Sequence, residues 1–189
     1  MKPLSFTKMH SLGNDFMVID GVRQEVSLSA ARIRQLSDRH RGVGFDQLLL
    51  VEPARTTGTD FFYRIFNASG GEVGQCGNGA RCLAQFLKWR GLTQQTRFIL
   101  ETQTTRLSVA LHDQEEVSVT FALPRFAPSE IPTLGPIRQG QIQVPLFSDK
   151  IVALYPLNVG NPQVVWSVTD WSEVDVGSWG RQMSEHAYF

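Results

Sequence analysis

The chain is short of most features that announce a function. It has two cysteines, Cys76 and Cys82, in 189 residues. That is too few for a disulfide framework, and a reducing cytoplasm is the expected compartment. Charged residues make up 19% of the chain, under the roughly one quarter of an average domain. Acidic and basic side chains balance at 18 each, so no positive field draws in nucleic acid or an anionic membrane. Apolar runs, around residues 16–19 and 47–51, stay far below the roughly 20 residues that span a bilayer. Residues 1–10 hold no apolar stretch of the signal-peptide kind, so no secretory signal is expected. We find no phosphate loop, no lysine in a cofactor-like setting and no metal-spaced His/Cys/Asp cluster. His10, His40, His112 and His186 are scattered. The expectation is therefore neither metal nor cofactor.

Hydrophobic residues make up 42% of the chain, enough for a core. Residues 16–20, 47–52 and 60–67 are rich in Phe, Val, Ile and Leu and predict strands. Between the first two lies a helix over 29–40, with Ser29 as N-cap, Ile33 and Leu36 inward, and Gly42 closing it. A turn at Ser69-Gly70-Gly71 leads to Cys76-Gly77-Asn78-Gly79 and a second helix to about Arg90, ended by Gly91. Its polar positions, Arg81, Gln85 and Lys88, fall on one narrow stripe. Leu83, Ala84 and Leu87 flank it on one side; Cys82, Phe86 and Trp89 on the other. A helix apolar over most of its circumference is surrounded by protein. Strands follow at 98–102, 106–112 and 117–123. The fold class expected is α+β, a curved sheet wrapped around a central helix. Pro124 to Pro136, with prolines at 124, 128, 132 and 136, predicts an interdomain linker.

The chain then repeats itself. Gly13-Asn14 recurs as Gly160-Asn161, Val18 as Val165, and Arg34-Gln35-Leu36-Ser37-Asp38 as Arg181-Gln182-Met183-Ser184-Glu185, all in one ungapped register. This pattern predicts duplication of one unit, hence two pseudo-symmetric domains, 1–123 and 137–189. The position equivalent to Cys76 falls beyond Phe189, so the second domain is expected to be incomplete.

A cysteine at a helix start meets free N–H groups and the positive end of the helix, which favour a thiolate or a bound carboxylate. Its pKa is expected to fall below the free value of about 8.5. The glycines of the motif admit close backbone approach. Asn14, Gln47, Asn67 and Asn78 stand near strand ends or in loops and are uncharged. Such a set suits an α-amino acid held by its carboxylate with a thiol at its α-carbon. Inverting a stereocentre without a cofactor needs a base on one face and an acid on the other, a demand that two thiols from two half-domains meet.

Four segments carry a resemblance: 8–16 (KMHSLGNDF), 39–47 (RHRGVGFDQ), 63–68 (YRIFNA) and 75–82 (QCGNGARC). Together they resemble diaminopimelate epimerase. The resemblance implies cofactor-independent interconversion of LL- and meso-diaminopimelate, on the route to lysine and peptidoglycan. It implies Cys76 as one of two catalytic thiols, and Asn14, Gln47, Asn67, Gly77, Asn78 and Asn161 as substrate contacts. The partners it implies are a small amino-acid substrate and, as assembly, a homodimer. The chain departs from the family in several places. The family's second catalytic cysteine, a Glu-Arg pair and a further Asn are absent from these residues, so the chain is expected to be truncated and inactive by itself. Gln163 stands where His is usual, Ser11 where Gly is, Ser69 where Asp is, and Thr104-Thr105 where a Gly-containing turn is.

The alternatives are a related isomerase of the proline-racemase or phenazine-biosynthesis type, and a non-catalytic remnant that binds a small amino acid or a partner subunit. A cysteine hydrolase ranks last, because no His is placed to activate Cys76. Cys82 is expected to be a structural thiol, and Trp166, Trp171 and Trp179 core or interface.

Overall fold

A computed structural model describes residues 3–146 and 150–189. The predicted second domain thus contains three positions, 147–149, that lie outside the described residues, as do residues 1 and 2. The chain divides into two compact units, Met1–Ala122 and Leu123–Phe189.

The first unit holds β1 (Thr7–Ser11), β2 (Asn14–Asp20), α1 (Ala30–Ser37), β3 (Gln47–Pro53), β4 (Phe61–Asn67), β5 (Glu72–Val73), α2 (Gly77–Trp89), β6 (Arg97–Glu101), β7 (Arg106–Leu111) and β8 (Val117–Thr120). They form one sheet of order β1-β2-β3-β4-β6-β7-β8, with β5 paired to β4. The β2–β3 and β4–β6 pairs are parallel, the others antiparallel. The sheet curls around α2, which packs on β1, β2 and β3 at one side and on β7 and β8 at the other. Leu83, Ala84 and Leu87 are fully buried and Phe86 nearly so, as a helix enclosed by sheet requires. Each of the three large side chains contributes about 1.5–3 kcal/mol by leaving water.

Because strand side chains alternate, one face of β2, β3 and β4 carries Phe16, Val18, Leu49, Val51, Tyr63 and Ile65 into the α2 core. The other face carries Met17, Ile19, Leu48, Leu50 and Phe66 into a second cluster with Ile33 of α1.

Three readings need correction. The first helix ends at Ser37, not His40. Asp38 accepts the backbone N–H of His40 and Arg41, both at 2.9 Å, a local bond that competes with helix continuation. The polar stripe of α2 is not a wet face at Gln85, which is buried and donates to the Glu115 carbonyl at 2.7 Å. Trp89, placed on the apolar flank, is exposed near the helix end.

The second unit is a sheet of order β12-β11-β10-β9, from β9 (Ile137–Arg138), β10 (Gln141–Leu146), β11 (Lys150–Asn158) and β12 (Pro162–Val165), followed by α3 (Val176–Ser184). Ile142, Val144, Leu146, Val152 and Leu154 form its core. Trp166 and Trp179 stack at 4.6 Å beside it, whereas Trp171 is exposed. The Pro-rich stretch is built into this unit. Arg125 bridges Asn158 in antiparallel fashion, Ile131 is buried, and Leu134 donates to the Tyr188 carbonyl at 2.9 Å.

The repeat has a structural counterpart. In each unit an antiparallel hairpin turns at a left-handed glycine, Gly13 or Gly160, and is followed by an N-capped helix. Ser29 caps α1 by accepting from Arg32 at 3.2 Å, and Asp175 caps α3 by accepting from Ser178 at 3.1 Å.

Candidate active site

Cys76 is the N-cap of α2. Its backbone is extended (φ −152°, ψ 111°), and its Sγ accepts the Gly79 N–H at 3.2 Å. The first turn of a helix leaves N–H groups without partners in the helix, and the sulfur takes one of them. The glycines that follow lie close against neighbouring side chains. A Cβ on Gly77 would lie 2.7 Å from the Phe121 ring, and one on Gly79 would lie 3.1 Å from Leu49.

The sheet brings the other candidates to this helix start. Asn14 begins β2, Gln47 begins β3 and Asn67 ends β4. Register makes them neighbours: Phe16 pairs with Gln47, and Gln47 with Asn67. All three share the parity of Phe16, Leu49 and Ile65, the α2-facing set. Their polar atoms are committed in part. Gln47 Nε2 donates to Asn67 Oδ1 at 2.9 Å, which leaves Gln47 Oε1 buried and unpartnered. Asn14 Nδ2 donates to Asp46 Oδ2 at 3.0 Å, and the Cys76 thiol donates to Asn14 Oδ1 at 3.9 Å. Asn78 Oδ1 accepts from Arg81 at 3.0 Å. The set thus offers acceptor oxygens from the sheet and N–H donors from the helix, suited respectively to an ammonium and a carboxylate.

Asn161 lies in the second unit, after left-handed Gly160 in the turn from β11 to β12, where its carbonyl accepts the Val159 N–H at 3.2 Å. Gln163 is exposed on β12 and pairs with Leu157. Ser11 and Thr104-Thr105, where glycine is usual, all have negative φ, so the backbone there does not require glycine.

The expected fall in the Cys76 pKa is not observed. Burial pushes the thiol above its ordinary value and outweighs the opposing N–H bonds from Gly79 and Asn78. Cys76 rests as a thiol, a proton donor. Cys82 is buried on the α2 flank, and burial, followed by the nearby Cys76, pushes it up to about 11. The Tyr63 phenol, fully buried under α2 with its hydroxyl unpartnered, is also raised, first by burial and then by Cys76.

Sequence reasoning missed a charged cluster behind Asn14. Parallel pairing of β2 with β3 sets Asp15 beside Asp46, and each accepts the other's backbone N–H (3.1 and 2.9 Å). Arg39 bridges the two carboxylates, with bonds of 2.9 and 2.8 Å to Asp15 and 2.8 Å to Asp46, and Lys8 also pairs with Asp15. Arg39 first, with Lys8, holds Asp15 well below the usual carboxylate range. Asp46 stands next to Gln47 in the sequence, but nothing local marks its partner on another strand.

Solved structures with this fold include two named for epimerisation or racemisation of an amino acid. A hydroxyproline epimerase from Agrobacterium vitis with bound trans-4-hydroxy-L-proline superposes with a TM-score of 0.62 at 16% identity, covering 86% of this chain and 51% of its own. A probable proline racemase from Agrobacterium radiobacter superposes with a TM-score of 0.60 at 15% identity, covering 94% and 53%. The fold is therefore that of the racemase and epimerase structures, with a cysteine capping the enclosed helix. The sequence narrows the class further. The diaminopimelate epimerase profile matches residues 6–125. Diaminopimelate epimerases of Legionella pneumophila and Acinetobacter baumannii are 46% and 44% identical over 186 residues, which is 98% of this chain and 67% and 66% of theirs. The chain belongs to the diaminopimelate epimerase family.

Proposed function

We propose that this protein takes part in the epimerisation of LL- to meso-diaminopimelate by a two-thiol acid/base mechanism, with Cys76 as one thiol. The observation that carries this is Cys76 at the start of α2, facing Asn14 Oδ1, with Gln47 and Asn67 at the same end of the sheet. The N–H groups of the first α2 turn bind the α-carboxylate, and Asn14, Gln47, Asn67, Gly77, Asn78 and Asn161 contact the substrate. As a thiolate, Cys76 removes the α-proton. The electron pair passes into the carboxylate, where the helix N–H groups stabilise the developing charge. A second thiol on the opposite face delivers a proton to the α-carbon, which inverts it. Read in the other direction, Cys76 starts as the thiol and is the donor.

Cys82 is not that second thiol. It is buried on the same helix that Cys76 caps and has no route to the opposite face. The 189-residue chain therefore supplies one member of the pair, and removing one member of a catalytic unit costs several orders of magnitude in rate. The test is incubation of the purified chain with each isomer in D2O, following isomer conversion and α-deuterium incorporation separately. We expect slow deuterium incorporation that Cys76→Ala abolishes, and no net conversion. Incorporation that survives Cys76→Ala, or none with either isomer, overturns the role of Cys76. Full conversion overturns the statement that the second acid lies outside these residues.

A further inference from the structure

The Asp15–Arg39–Asp46 cluster touches neither the thiol nor the helix start, yet it ends on Asn14, whose side chain accepts from the Cys76 sulfur. Asp46 Oδ2 can only accept, and it takes the Asn14 Nδ2–H at 3.0 Å. The Asn14 amide has one donor end and one acceptor end. With its donor end on Asp46, its acceptor end, Oδ1, must face the Cys76 sulfur, and the thiol donates to it at 3.9 Å. The carboxylate is itself fixed. Asp46 Oδ2 also accepts the Asp15 N–H at 3.1 Å, Oδ1 takes Arg39 at 2.8 Å, and Arg39 is forked onto Asp15 at 2.9 and 2.8 Å. Two carboxylates side by side on neighbouring segments repel each other unless a cation lies between them, which is the place Arg39 occupies.

We propose that Asp46 is a positioning residue for the Cys76 site: clamped by Arg39 and Asp15, it fixes the Asn14 amide so that an acceptor, not a donor, faces the sulfur. An acceptor there stabilises S–H and offers nothing to S⁻, so the clamp keeps Cys76 as the proton-bearing thiol until substrate arrives. The other titratable neighbours of Cys76 are Tyr63 on β4 and Cys82 on α2. Among the described residues, β1 and β8 pack against its cluster through Met9, Val117 and Val119, and β7 through Leu107, Val109 and Leu111, none of which titrates.

The proposal rests on the reading of Cys76 as the thiol of the site, but its test reads only the titration of that sulfur and needs no substrate, so its failure and a failure of the epimerase reading in D2O are distinguishable. Iodoacetamide labelling of Cys76 is followed by mass mapping from pH 6 to 10 in the full chain. Cys82 serves as the fold control, since it stays unlabelled while the core is intact. In Asp46→Asn the Asn14 amide is free to turn its donor to the sulfur. The labelling midpoint then falls by about half a pH unit or more, roughly threefold faster labelling below the midpoint. Loss of the Asp46 charge also acts through space, and Asn14→Ala separates the two effects. In the Asn14→Ala background the same Asp46→Asn change has little further effect if it acts through the amide. An equal shift in both backgrounds, or no shift in Asp46→Asn, overturns the proposal. If Asp46→Asn fails to fold, Asp46→Glu keeps the charge and displaces the acceptor by one methylene. Its midpoint falls likewise, and an unchanged midpoint overturns the proposal.

Discussion

Gln47 and Asn67 face each other on one rung of the β3–β4 pair, and the Gln47 amide N–H donates to the Asn67 side-chain carbonyl at 2.9 Å. This bond satisfies one end of Gln47 and leaves the other, Oε1, buried without a partner among the described residues. The two side chains are thus unequal. Asn67→Leu removes the partner that the Gln47 amide N–H has among the described residues and leaves both ends of this part-buried side chain unpaired, which costs about 1–3 kcal/mol. Gln47→Leu removes the orphaned acceptor together with the donor and leaves only the Asn67 Oδ1 of a half-buried residue to be satisfied by water, so its cost is under about 1 kcal/mol. Urea denaturation of both variants measures the difference. Equal losses would show that Gln47 Oε1 is already satisfied.

Two buried acids, Cys82 and Tyr63, are held neutral by their surroundings. Burial raises both above their ordinary values, Cys82 from 9.0 to about 11. The raised group retains its proton in the folded chain after the unfolded chain has lost it. The stability is therefore full below pH 9 and is lost as pH rises from 9 toward 11, at about 1.4 kcal/mol per pH unit for one retained proton. Cys82→Ala is expected to reduce the slope between pH 9 and 10, with the remainder coming from Cys76, also raised by burial, and above pH 10 from Tyr63. Denaturation midpoints at fixed pH values check this, and an unchanged slope in Cys82→Ala would contradict it.

Leu12 is strained where strain is easily relieved. It occupies the left-handed region (φ 55°), followed by Gly13 (φ 83°), in the two-residue turn between the paired Ser11 and Asn14. Positive φ at both turn positions is the hairpin geometry that favours Asn-Gly. Leucine adopts it at a cost of about 1–2 kcal/mol, and here it is 84% exposed, so no packing compensates. Leu12→Asn is expected to stabilise the chain by about 0.5–1 kcal/mol and raise the thermal midpoint by a few degrees. A lower midpoint would mean that Leu12 makes a contact in solution that outweighs its backbone conformation.

The comparison of sequence with structure divides along the range of the forces involved. The sequence by itself determined α2: its apolar circumference, the cysteine at its start and the glycine stop at Gly91 are local signals, and the helix is enclosed as expected and ends within a residue of its expected stop, although it begins at Gly77, inside the Cys76–Gly79 stretch expected to precede it. It also determined the Ser29 cap, the place of Cys76 at the helix start, and strands β2, β3, β4, β6, β7 and β8, whereas β1 and the two-residue β5 lie outside the predicted strands. Other features are set by contacts between residues far apart in the chain. Register between β2 and β3 puts Asp15 beside Asp46 and creates the need for Arg39; no window of sequence holds all three. The Gln85 position looks polar along its own helix, but the turn after β7 covers it and supplies the Glu115 carbonyl. The Cys76 thiol follows the same division. A helix start favours thiolate locally, whereas burial beneath a curled sheet opposes charge more strongly, and burial is a property of the packed chain.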